Sequence, residues 1–452
     1  MPRSPARSLA LLLIASAVAA VPAPLVASAD TAQRTCRGER ATVVGEHRPD
    51  GRAIGTPGRD VIVTNGAKYV RAFGGDDLIC VTNLTDFPRA GVVHLEAAGG
   101  DDRVVVTGSS RRAVWAALGA GADRFTGGPG DDEVLTGPGE VGGWGPDGDR
   151  EQDVVSTARG DDVVQTKGSA GRPDRIDLGH GDDRVEVRDP DGGRVVVAGG
   201  EGRDALVVGR GSTAFSDDLT LDNRDGSATR DGAAWITWTG VQDFRVDTSG
   251  TLDFRGGPLG EHLVTSEAAA ASTIAMGAGL DVVTLDEGRG PSTLDGGAGD
   301  DRLELSVRGS GGAEPVVVDV ADGTVVPSRA GLTFTRFDDV FVSDLTLTSV
   351  TLRGSGADDV LSASGCEITI EGRGGDDRLT SVRTYDQLGD YPCSDAPTLI
   401  EGPATMDGGP GDDVLVGSGF GDRLDGGDGD DTVDGRAGTD TCLGETRVRC
   451  EA

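Results

Sequence analysis

Short apolar runs alternate with glycine- and aspartate-rich segments along most of this chain. Val104–Val106 and Val195–Val197 are typical of the apolar runs, and Gly-Asp-Asp sequences are typical of the segments between them. Apolar runs of this length, bounded by Gly and Asp, indicate short β-strands that end in turns. The pattern predicts an all-β chain and no helix of consequence beyond residue 29.

The alternation becomes strictly periodic between Gly408 and Leu443. Four consecutive nonamers read GGPGDDVLV, GSGFGDRLD, GGDGDDTVD and GRAGTDTCL. The sixth place of each nonamer is an aspartate, namely Asp413, Asp422, Asp431 and Asp440. The eighth place is apolar or cysteine, namely Leu415, Leu424, Val433 and Cys442. A repeat of turn and strand with one inward residue per strand predicts a thin solenoid core.

The turn half of each nonamer has the chemistry of a calcium site. Calcium takes six to eight oxygen ligands at about 2.3–2.6 Å, from carboxylates and backbone carbonyls. Glycine allows the turn to adopt φ > 0 and to bring its carbonyl oxygens together, and the sixth-place aspartate adds a charged oxygen. A flexible Gly/Asp-rich linker is the alternative, but four copies in phase with an apolar eighth place argue against it.

The nonamers resemble the haemolysin-type (RTX) repeat G-G-x-G-x-D-x-U-x. The resemblance implies a parallel β-roll or β-helix solenoid whose Gly/Asp-rich turns bind Ca²⁺. Two nonamers then form one coil, so Asp413 shares an ion with Asp431, and Asp422 shares another with Asp440 on the opposite side. The glycines implied at these sites are Gly408, Gly411, Gly426 and Gly429. Phe420 replaces the fourth-place glycine and is expected to weaken the Asp422–Asp440 site.

Looser copies of the same turn occur upstream and predict further calcium ligands. Their sixth-place aspartates are Asp77, Asp102, Asp123, Asp132, Asp162, Asp183, Asp204, Asp281, Asp301, Asp359 and Asp377. A Gly-Asp-Asp turn can also simply close a coil. However, stacked coils place like carboxylates about 5 Å apart, and this repulsion favours a cation between them. Glu261, followed by His262, has the aspartate position in one copy, and we expect that site to be decayed.

The spacing of these aspartates predicts how the coils stack. Several are 21 residues apart, which predicts one side carrying Asp102, Asp123, Asp162, Asp183 and Asp204. Asp132 and Asp153 are then expected on the other side. Asp377 precedes Asp413 by 36 residues, the length of two eighteen-residue coils, and the intervening Thr380–Met406 segment is expected to hold an inserted loop.

Composition changes and an internal duplication divide the chain. We expect a signal peptide at 1–29, an N-terminal solenoid with degenerate turns at 30–208, and duplicated segments at 209–305 and 306–380. A disulfide-tied insertion at 381–406 and a C-terminal β-roll with a cap at 407–452 follow. The duplication is visible where Leu219–Asp222 matches Val316–Asp319, and where Trp238–Asp243 matches Phe334–Asp339.

The N-terminus and the cysteines predict export. Arg3 and Arg7 precede an apolar run, and Ala27-Ser28-Ala29 forms a cleavage site, so a secreted, extracellular protein is expected. Six cysteines in an exported chain imply disulfides. Sequence proximity favours the pairs Cys36–Cys80, Cys366–Cys393 and Cys442–Cys450.

Charge and missing motifs limit the function. A formal net charge of −34 argues against nucleic acid or anionic membranes as partners, and no membrane insertion is expected. No H-E-x-x-H or G-x-S-x-G motif occurs, and His180 in a glycine-rich turn is interpreted as loop filler. We therefore expect a non-enzymatic, calcium-stabilised structural or adhesive solenoid, with an extracellular glycan or a cell surface as the candidate partner. The alternative is a polysaccharide lyase or epimerase of the β-helix type, for which Tyr385 and Tyr391, beside Asp386 and Asp390, are the candidate residues.

Overall fold

Apolar side chains and turn glycines of this chain build two long sheets that face each other across one core. The computed structural model describes residues 34–84, 91–137, 139–140, 143–144, 150–188, 193–209, 216–265, 270–286, 291–307, 316–326, 331–344, 349–382, 384–385, 399–400 and 402–451. Its regular elements over these ranges are all strands, numbered β1–β46 in chain order. The predicted signal peptide lies outside the described residues. No described helix is long and apolar enough to cross a membrane.

Sheet I is formed by one strand from nearly every coil. Its strands, in chain order, are β3 (Val43–Val44), β5 (Val61–Val63), β7 (Leu78–Val81), β9 (Arg103–Val106), β11 (Arg124–Thr126), β15 (Val154–Ser156), β17 (Asp174–His180), β19 (Val195–Glu201), β21 (Leu219–Asp222), β22 (Ser227–Arg230), β23 (Ala233–Thr239), β25 (Thr251–Arg255), β27 (Ala271–Ala275), β29 (Ser292–Asp295), β31 (Val316–Asp319), β32 (Thr324–Val326), β33 (Leu332–Thr335), β35 (Val350–Arg353), β37 (Ile368–Glu371), β41 (Ala404–Pro410), β43 (Arg423–Asp428) and β45 (Thr441–Leu443).

Sheet II is formed by the second strand of each coil, and three small hairpins lie outside both sheets. The strands of sheet II are β4 (Arg52–Ile54), β6 (Tyr69–Arg71), β8 (Val93–Gly99), β10 (Val114–Ala120), β12 (Glu133–Leu135), β16 (Val163–Thr166), β18 (Arg184–Val187), β20 (Ala205–Val208), β24 (Asp243–Val246), β26 (His262–Thr265), β28 (Val282–Asp286), β30 (Arg302–Val307), β34 (Asp339–Asp344), β36 (Val360–Ser364), β38 (Arg378–Ser381), β42 (Val414–Val416), β44 (Thr432–Asp434) and β46 (Thr446–Val448). The hairpins are β1 (Thr35–Cys36) with β2 (Glu39–Arg40), β13 (Gly139–Glu140) with β14 (Gly143–Trp144), and β39 (Thr384–Tyr385) with β40 (Leu399–Ile400).

Parallel pairing between successive coils makes the fold a β-solenoid, as the sequence predicts. In the C-terminal nonamers, Met406 pairs with Leu424, and Leu415 pairs with Val433, so the coil there holds eighteen residues. The eighth-place residues lie inside, where Leu415, Leu424 and Val433 are fully buried. One hydrophobic core runs from Ala53 to Cys442, and each coil contributes only a few side chains to it.

Each duplicated segment interrupts the parallel order of sheet I with an antiparallel excursion. In the first copy, β22 pairs antiparallel with both β21 and β23. The two outer strands keep the parallel order, because β23 pairs with β19 and β21 pairs with β25. The second copy repeats this arrangement with β31, β32 and β33 between β29 and β35. The strictly parallel sheet expected from the resemblance is therefore broken at two strands, β22 and β32.

Two predictions of coil register are wrong. Asp123 aligns with Asp153, because Arg124 pairs with Val154, and Asp132 aligns with Asp162, because Glu133 pairs with Val163. The predicted sides had grouped Asp123 with Asp162. The coil between them is lengthened by a segment that contains the β13–β14 hairpin, and its hydrogen-bonded partners are 30 residues apart, so the 21-residue spacing is misleading there.

The 36-residue step from Asp377 to Asp413 is likewise one coil and not two. Strand β38 pairs directly with β42, with Arg378 opposite Val414. The described part of the extra length includes the β39–β40 hairpin, which pairs with neither sheet. The insertion therefore does not interrupt the stack of coils.

Disulfides lie at both ends of the described solenoid. Cys36 is bonded to Cys80, where the hairpin β1–β2 covers the first strands of sheet I, and Cys442 is bonded to Cys450 in the last coil. Cys366 is also disulfide-bonded, but its predicted partner Cys393 lies outside the described residues. No free cysteine occurs among the described residues.

Candidate metal centres

The acidic residues in the sixth place of each turn form two rows. Each row runs along the N-terminal ends of the strands of one sheet. Each of these residues directly precedes, or begins, a strand whose first residues pair with the coils on either side. Row I, at sheet I, contains Asp60, Asp77, Asp102, Asp123, Asp153 and Asp174, and later Asp422 and Asp440. Row II, at sheet II, contains Asp132, Asp162, Asp183, Asp204, Gln242, Glu261, Asp281, Asp301, Asp338, Asp359, Asp377, Asp413 and Asp431.

One carboxylate oxygen of most row members is used within the row. The backbone N–H of Asp413 donates to Oδ1 of Asp431 at 3.0 Å, and that of Asp377 donates to Oδ1 of Asp413 at 2.7 Å. The same bond joins Asp422 to Asp440 and Asp162 to Asp183. These bonds satisfy backbone donors at each turn and fix the stacking of one coil on the next.

The second oxygen of many of these carboxylates has no hydrogen-bond partner, although it is buried. Within the described part of the chain this is true of Oδ2 of Asp77, Asp102, Asp162, Asp183, Asp204, Asp281, Asp301, Asp377, Asp413, Asp431 and Asp440, and of Oε2 of Glu261. These side chains are at most 3% exposed. A buried anion without a partner is strongly unfavourable, and its regular repetition points to a bound cation.

The backbone around these oxygens supplies further oxygen ligands. In the turn from Gly408 to Asp413, the glycines in the second and fourth places have φ of 107° and 144°. A Cβ on Gly427 would lie 2.0 Å from the carbonyl oxygen of Gly409, and a Cβ on Gly429 would lie 1.8 Å from that of Gly411. The carbonyl oxygens of one turn therefore face the next turn at positions where only glycine fits.

The set of donors in these turns fits calcium. No group of three or more His, Cys, Asp or Glu side chains in the described ranges is placed to hold a metal ion. A site between two turns must therefore combine one or two carboxylates with backbone carbonyls. Such an all-oxygen set suits calcium and not zinc, which prefers nitrogen and sulfur.

Burial and like charge raise the pKa of many row carboxyls. Burial, with repulsion from acids in neighbouring coils, raises the pKa of Asp102 and Asp162 to about 8, and that of Asp377 to about 7. The pKa of Asp77 and of Asp183 rises to about 6 for the same reasons. A divalent cation at the second oxygen would favour the ionised form and oppose these shifts.

A second kind of turn satisfies its own carboxylate. Ser418 donates its backbone N–H to Oδ2 of Asp422 at 2.6 Å, and its hydroxyl donates to Oδ1. Ser355 donates both groups to Oδ2 of Asp359, and Thr56 donates both to Oδ2 of Asp60. These turns are called closed turns here, and the turns with an unpartnered oxygen are called open turns. Among the other predicted ligands, Asp132 Oδ2 accepts the N–H of Gly128 at 3.2 Å.

The residue in the second place distinguishes the two kinds of turn. Most open turns have a positive φ there, as at Gly409 and Gly427 and at the non-glycine residues Ala158 and Arg373, whereas Gly257 in the turn of Glu261 does not. Closed turns have Ser or Thr without a positive φ, so the N–H points back to the carboxylate. The sequence prediction attributed the weaker Asp422 turn to Phe420, whereas the contacts of Asp422 involve Ser418.

Several row members were not identified from the sequence. Asp60, Asp174, Gln242 and Asp338 occupy sixth places; the turns of Asp174, Gln242 and Asp338 lack glycine in the first place, whereas that of Asp60 has Gly55 and Gly58 in the first and fourth places. The side chain of Gln242 accepts the N–H of Asp204 at 2.8 Å in place of a carboxylate. At the C-terminal end, the side chains of Glu445 and Glu451 accept the backbone N–H of Asp431 and of Asp440, respectively. A polar residue directly before each strand is the signal that could have identified these positions.

The residues suggested for catalysis form no described site. Tyr385 belongs to β39, whereas Tyr391, Asp386 and Asp390 lie outside the described residues. His180 is the exposed last residue of β17, where its Nδ1 is 3.0 Å from Oε2 of Glu201. This contact joins two neighbouring coils at the surface.

Comparison with known proteins agrees with the geometry of the turns. The RTX calcium-binding nonapeptide repeat matches in four copies, over residues 117–140, 288–306 and 407–442. No curated protein matches the chain. The matched regions include the turns of Asp123, Asp132, Asp301 and the four C-terminal nonamers. The chain therefore carries haemolysin-type (RTX) calcium-binding nonapeptide repeats.

Proposed function

We propose that this protein is a secreted, non-enzymatic solenoid whose open turns bind Ca²⁺ and thereby stabilise an extracellular structural or adhesive module. The observation that carries the proposal is the repeated buried carboxylate oxygen without a partner, beside carbonyl oxygens of the adjacent turn. Calcium between such turns would neutralise charge that otherwise destabilises a chain of net charge −34.

The proposed ions lie where one open turn stacks on another. In row II these places lie between Asp162 and Asp183, Asp183 and Asp204, Asp281 and Asp301, Asp377 and Asp413, and Asp413 and Asp431. In row I one lies between Asp77 and Asp102. Closed turns are proposed as calcium-independent turns, because Ser or Thr already occupies the second oxygen.

The proposed organisation follows the segments expected from the sequence. Open turns occur in 30–208, in the duplicated segments 209–305 and 306–380, and in 407–452, so the proposed ions stiffen each of these segments. The described part of the expected 381–406 insertion forms the β39–β40 hairpin, and its last residues, 404–406, belong to β41 of sheet I.

A calcium titration tests this function. The mature protein is depleted of calcium, and heat and far-ultraviolet circular dichroism are followed from zero to several millimolar calcium. Extracellular modules bind at about 10⁻⁴–10⁻³ M, so the titration covers that range. We expect heat of binding together with an increase in β signal. Absence of both, in a protein that is already folded without calcium, would contradict the proposal.

A further inference from the structure

Three aromatic side chains form a column on the outer face of sheet II near the N-terminal end. Tyr69 pairs with His94, and His94 pairs with Trp115, so the three residues share one register position on β6, β8 and β10. The ring centroids of Tyr69 and His94 are 5.8 Å apart at 14°, and those of His94 and Trp115 are 6.0 Å apart. Tyr69 is 42% exposed, so the column adds apolar surface outside the core.

A shallow groove lies beside this column. It has a volume of about 310 Å³, and Arg52, Ile54, Tyr69, His94 and Glu96 are among its lining residues. Ile54 is 49% exposed. A groove with flat aromatic rings, an exposed aliphatic side chain and charged groups at its edge has the mixed character of a ligand-binding surface.

Cations surround the groove, although the protein as a whole is strongly acidic. Arg52 donates its backbone N–H to Oε2 of Glu46 at 3.0 Å, its guanidinium bonds no described residue, and Lys68 Nζ lies 5.3 Å from the centroid of the Tyr69 ring. Arg71 is paired with Glu96 at 2.7 Å. Arg52 and Lys68 thus leave positive charge on this face of a chain whose net charge is −34.

A buried arginine beside Lys68 also has no acidic partner among the described residues. Arg112 is 7% exposed, and its Nε donates to the carbonyl oxygen of Gly91 at 2.6 Å. Its Nη1 and Nη2 have no hydrogen-bond partner among the described residues. Lys68 Nζ lies 4.0 Å from the position of a Cβ on the same Gly91. Arg112 and Lys68 therefore both lie close to Gly91, and neither has a carboxylate partner among the described residues.

We propose that this aromatic–cationic face binds a carboxylate-bearing glycan chain. Because the Tyr69 and His94 rings stack on each other, their exposed edges would pack against the apolar faces of sugar rings, and their repeat along the solenoid axis suits a polymer of repeating rings. Arg52 and Lys68 would pair with the uronate carboxylates. An acidic peptide offers the charges without the repeated flat apolar faces. The proposal rests on the proposed extracellular role only for access to such a glycan, and it involves none of the open turns.

Calorimetry on the mature protein at saturating calcium tests the proposal. The probes are a hyaluronan octasaccharide, neutral maltooctaose and a poly-glutamate peptide. Tyr69→Ala and Arg52→Gln remove a ring and a cation of the face. Val326→Ala and Arg175→Gln are matched controls at exposed positions on other coils, and circular dichroism checks that each variant is folded.

We expect the hyaluronan octasaccharide to bind most tightly, and both groove variants to weaken it at least tenfold while both controls bind like the parent protein. No binding of the octasaccharide would overturn the proposal, as would maltooctaose of equal affinity with no effect of Arg52→Gln. Tighter binding of poly-glutamate would overturn it in favour of a peptide partner. The calcium titration is read separately, so a failure here is distinguishable from a failure of the proposed function.

Discussion

Asp413 and Asp422 occupy the same place in their nonamers, yet their second carboxylate oxygens have different surroundings. Oδ2 of Asp413 is buried without a partner, whereas both oxygens of Asp422 accept hydrogen bonds from Ser418. A repeat pattern cannot distinguish the two, because the distinction depends on the backbone direction of the second-place residue. It follows that the effect of a substitution should depend on calcium in the open turn of Asp413 and should not depend on calcium in the closed turn of Asp422.

Asp413→Asn should stabilise the calcium-free protein and destabilise the calcium-bound one. The amide keeps the oxygen that accepts the N–H of Asp377, but it removes a buried negative charge. We expect a gain of about 1 kcal/mol or more without calcium, and a loss of calcium affinity of at least tenfold. Thermal unfolding with and without calcium measures both. Equal destabilisation in the two conditions would mean that Asp413 is a structural residue and not a ligand.

Ser418→Ala is the matched substitution in a closed turn. It removes the hydroxyl that donates to Asp422 Oδ1 at 2.7 Å and retains the backbone N–H. We expect a loss of about 1 kcal/mol that is the same with and without calcium. A loss confined to the calcium-bound protein would place an ion in this turn and contradict the division into open and closed turns.

The glycines of the open turns are required by the stacking of coils. Gly427→Ala would place a Cβ 2.0 Å from the carbonyl oxygen of Gly409, at a backbone φ of 107°. Gly356→Ala is the control, since nothing lies within 4 Å of its Cβ position and its φ is not positive. We expect Gly427→Ala to cost about 1–3 kcal/mol and Gly356→Ala to stay within about 0.5 kcal/mol. Similar unfolding midpoints for the two variants would contradict the stacked geometry.

The last coil depends on a disulfide as well as on packing. Cys442 is in the eighth place of its nonamer, is 6% exposed, and is bonded to Cys450. Replacing both by serine should cost about 2–3 kcal/mol, since the closed loop is short. We expect peptide mapping of the purified protein to find the Cys442–Cys450 bond and no free thiol. A labelled thiol at either position would contradict this cap.

The sequence predicted strand type, core positions and the eighteen-residue coil better than the register of longer coils. Leu415, Leu424 and Val433 were predicted inside because the eighth place repeats strictly, and they are buried. The longer coil between Asp132 and Asp162 was misassigned because it carries extra residues in a segment with a hairpin. The antiparallel strands β22 and β32 could not be predicted, because a short strand of apolar residues has the same sequence pattern in a parallel and in an antiparallel sheet.

Rows of buried carboxylates run along the whole solenoid. The stability of the folded protein should therefore depend on pH in opposite ways with and without calcium. The pKa of Asp102 and Asp162 is raised to about 8, and that of Asp377 to about 7, from an ordinary value of 3.8. A raised folded-state pKa means that the folded form holds more protons between these values. The stability of the calcium-free protein is therefore highest near pH 4 and falls as the pH rises toward 8.

Calcium should reverse this dependence, because its ligands must be deprotonated. Thermal unfolding in calcium-depleted buffers at pH 5 and pH 8, repeated at several millimolar calcium, measures the change of sign. We expect the midpoint to fall with pH without calcium and to rise with pH in its presence. A calcium-free midpoint that rises with pH would show that the row carboxylates are stabilised by other partners.

The most direct measurement is a crystal structure of the mature protein grown with calcium, with anomalous difference density used to locate the ions. We predict peaks between stacked open turns, including one between Asp413 and Asp431 and one between Asp183 and Asp204. We predict none within the closed turns of Asp60 and Asp359. A map without peaks at the open turns, or with equal peaks at the closed ones, would contradict the assignment of the unpartnered carboxylate oxygens to calcium.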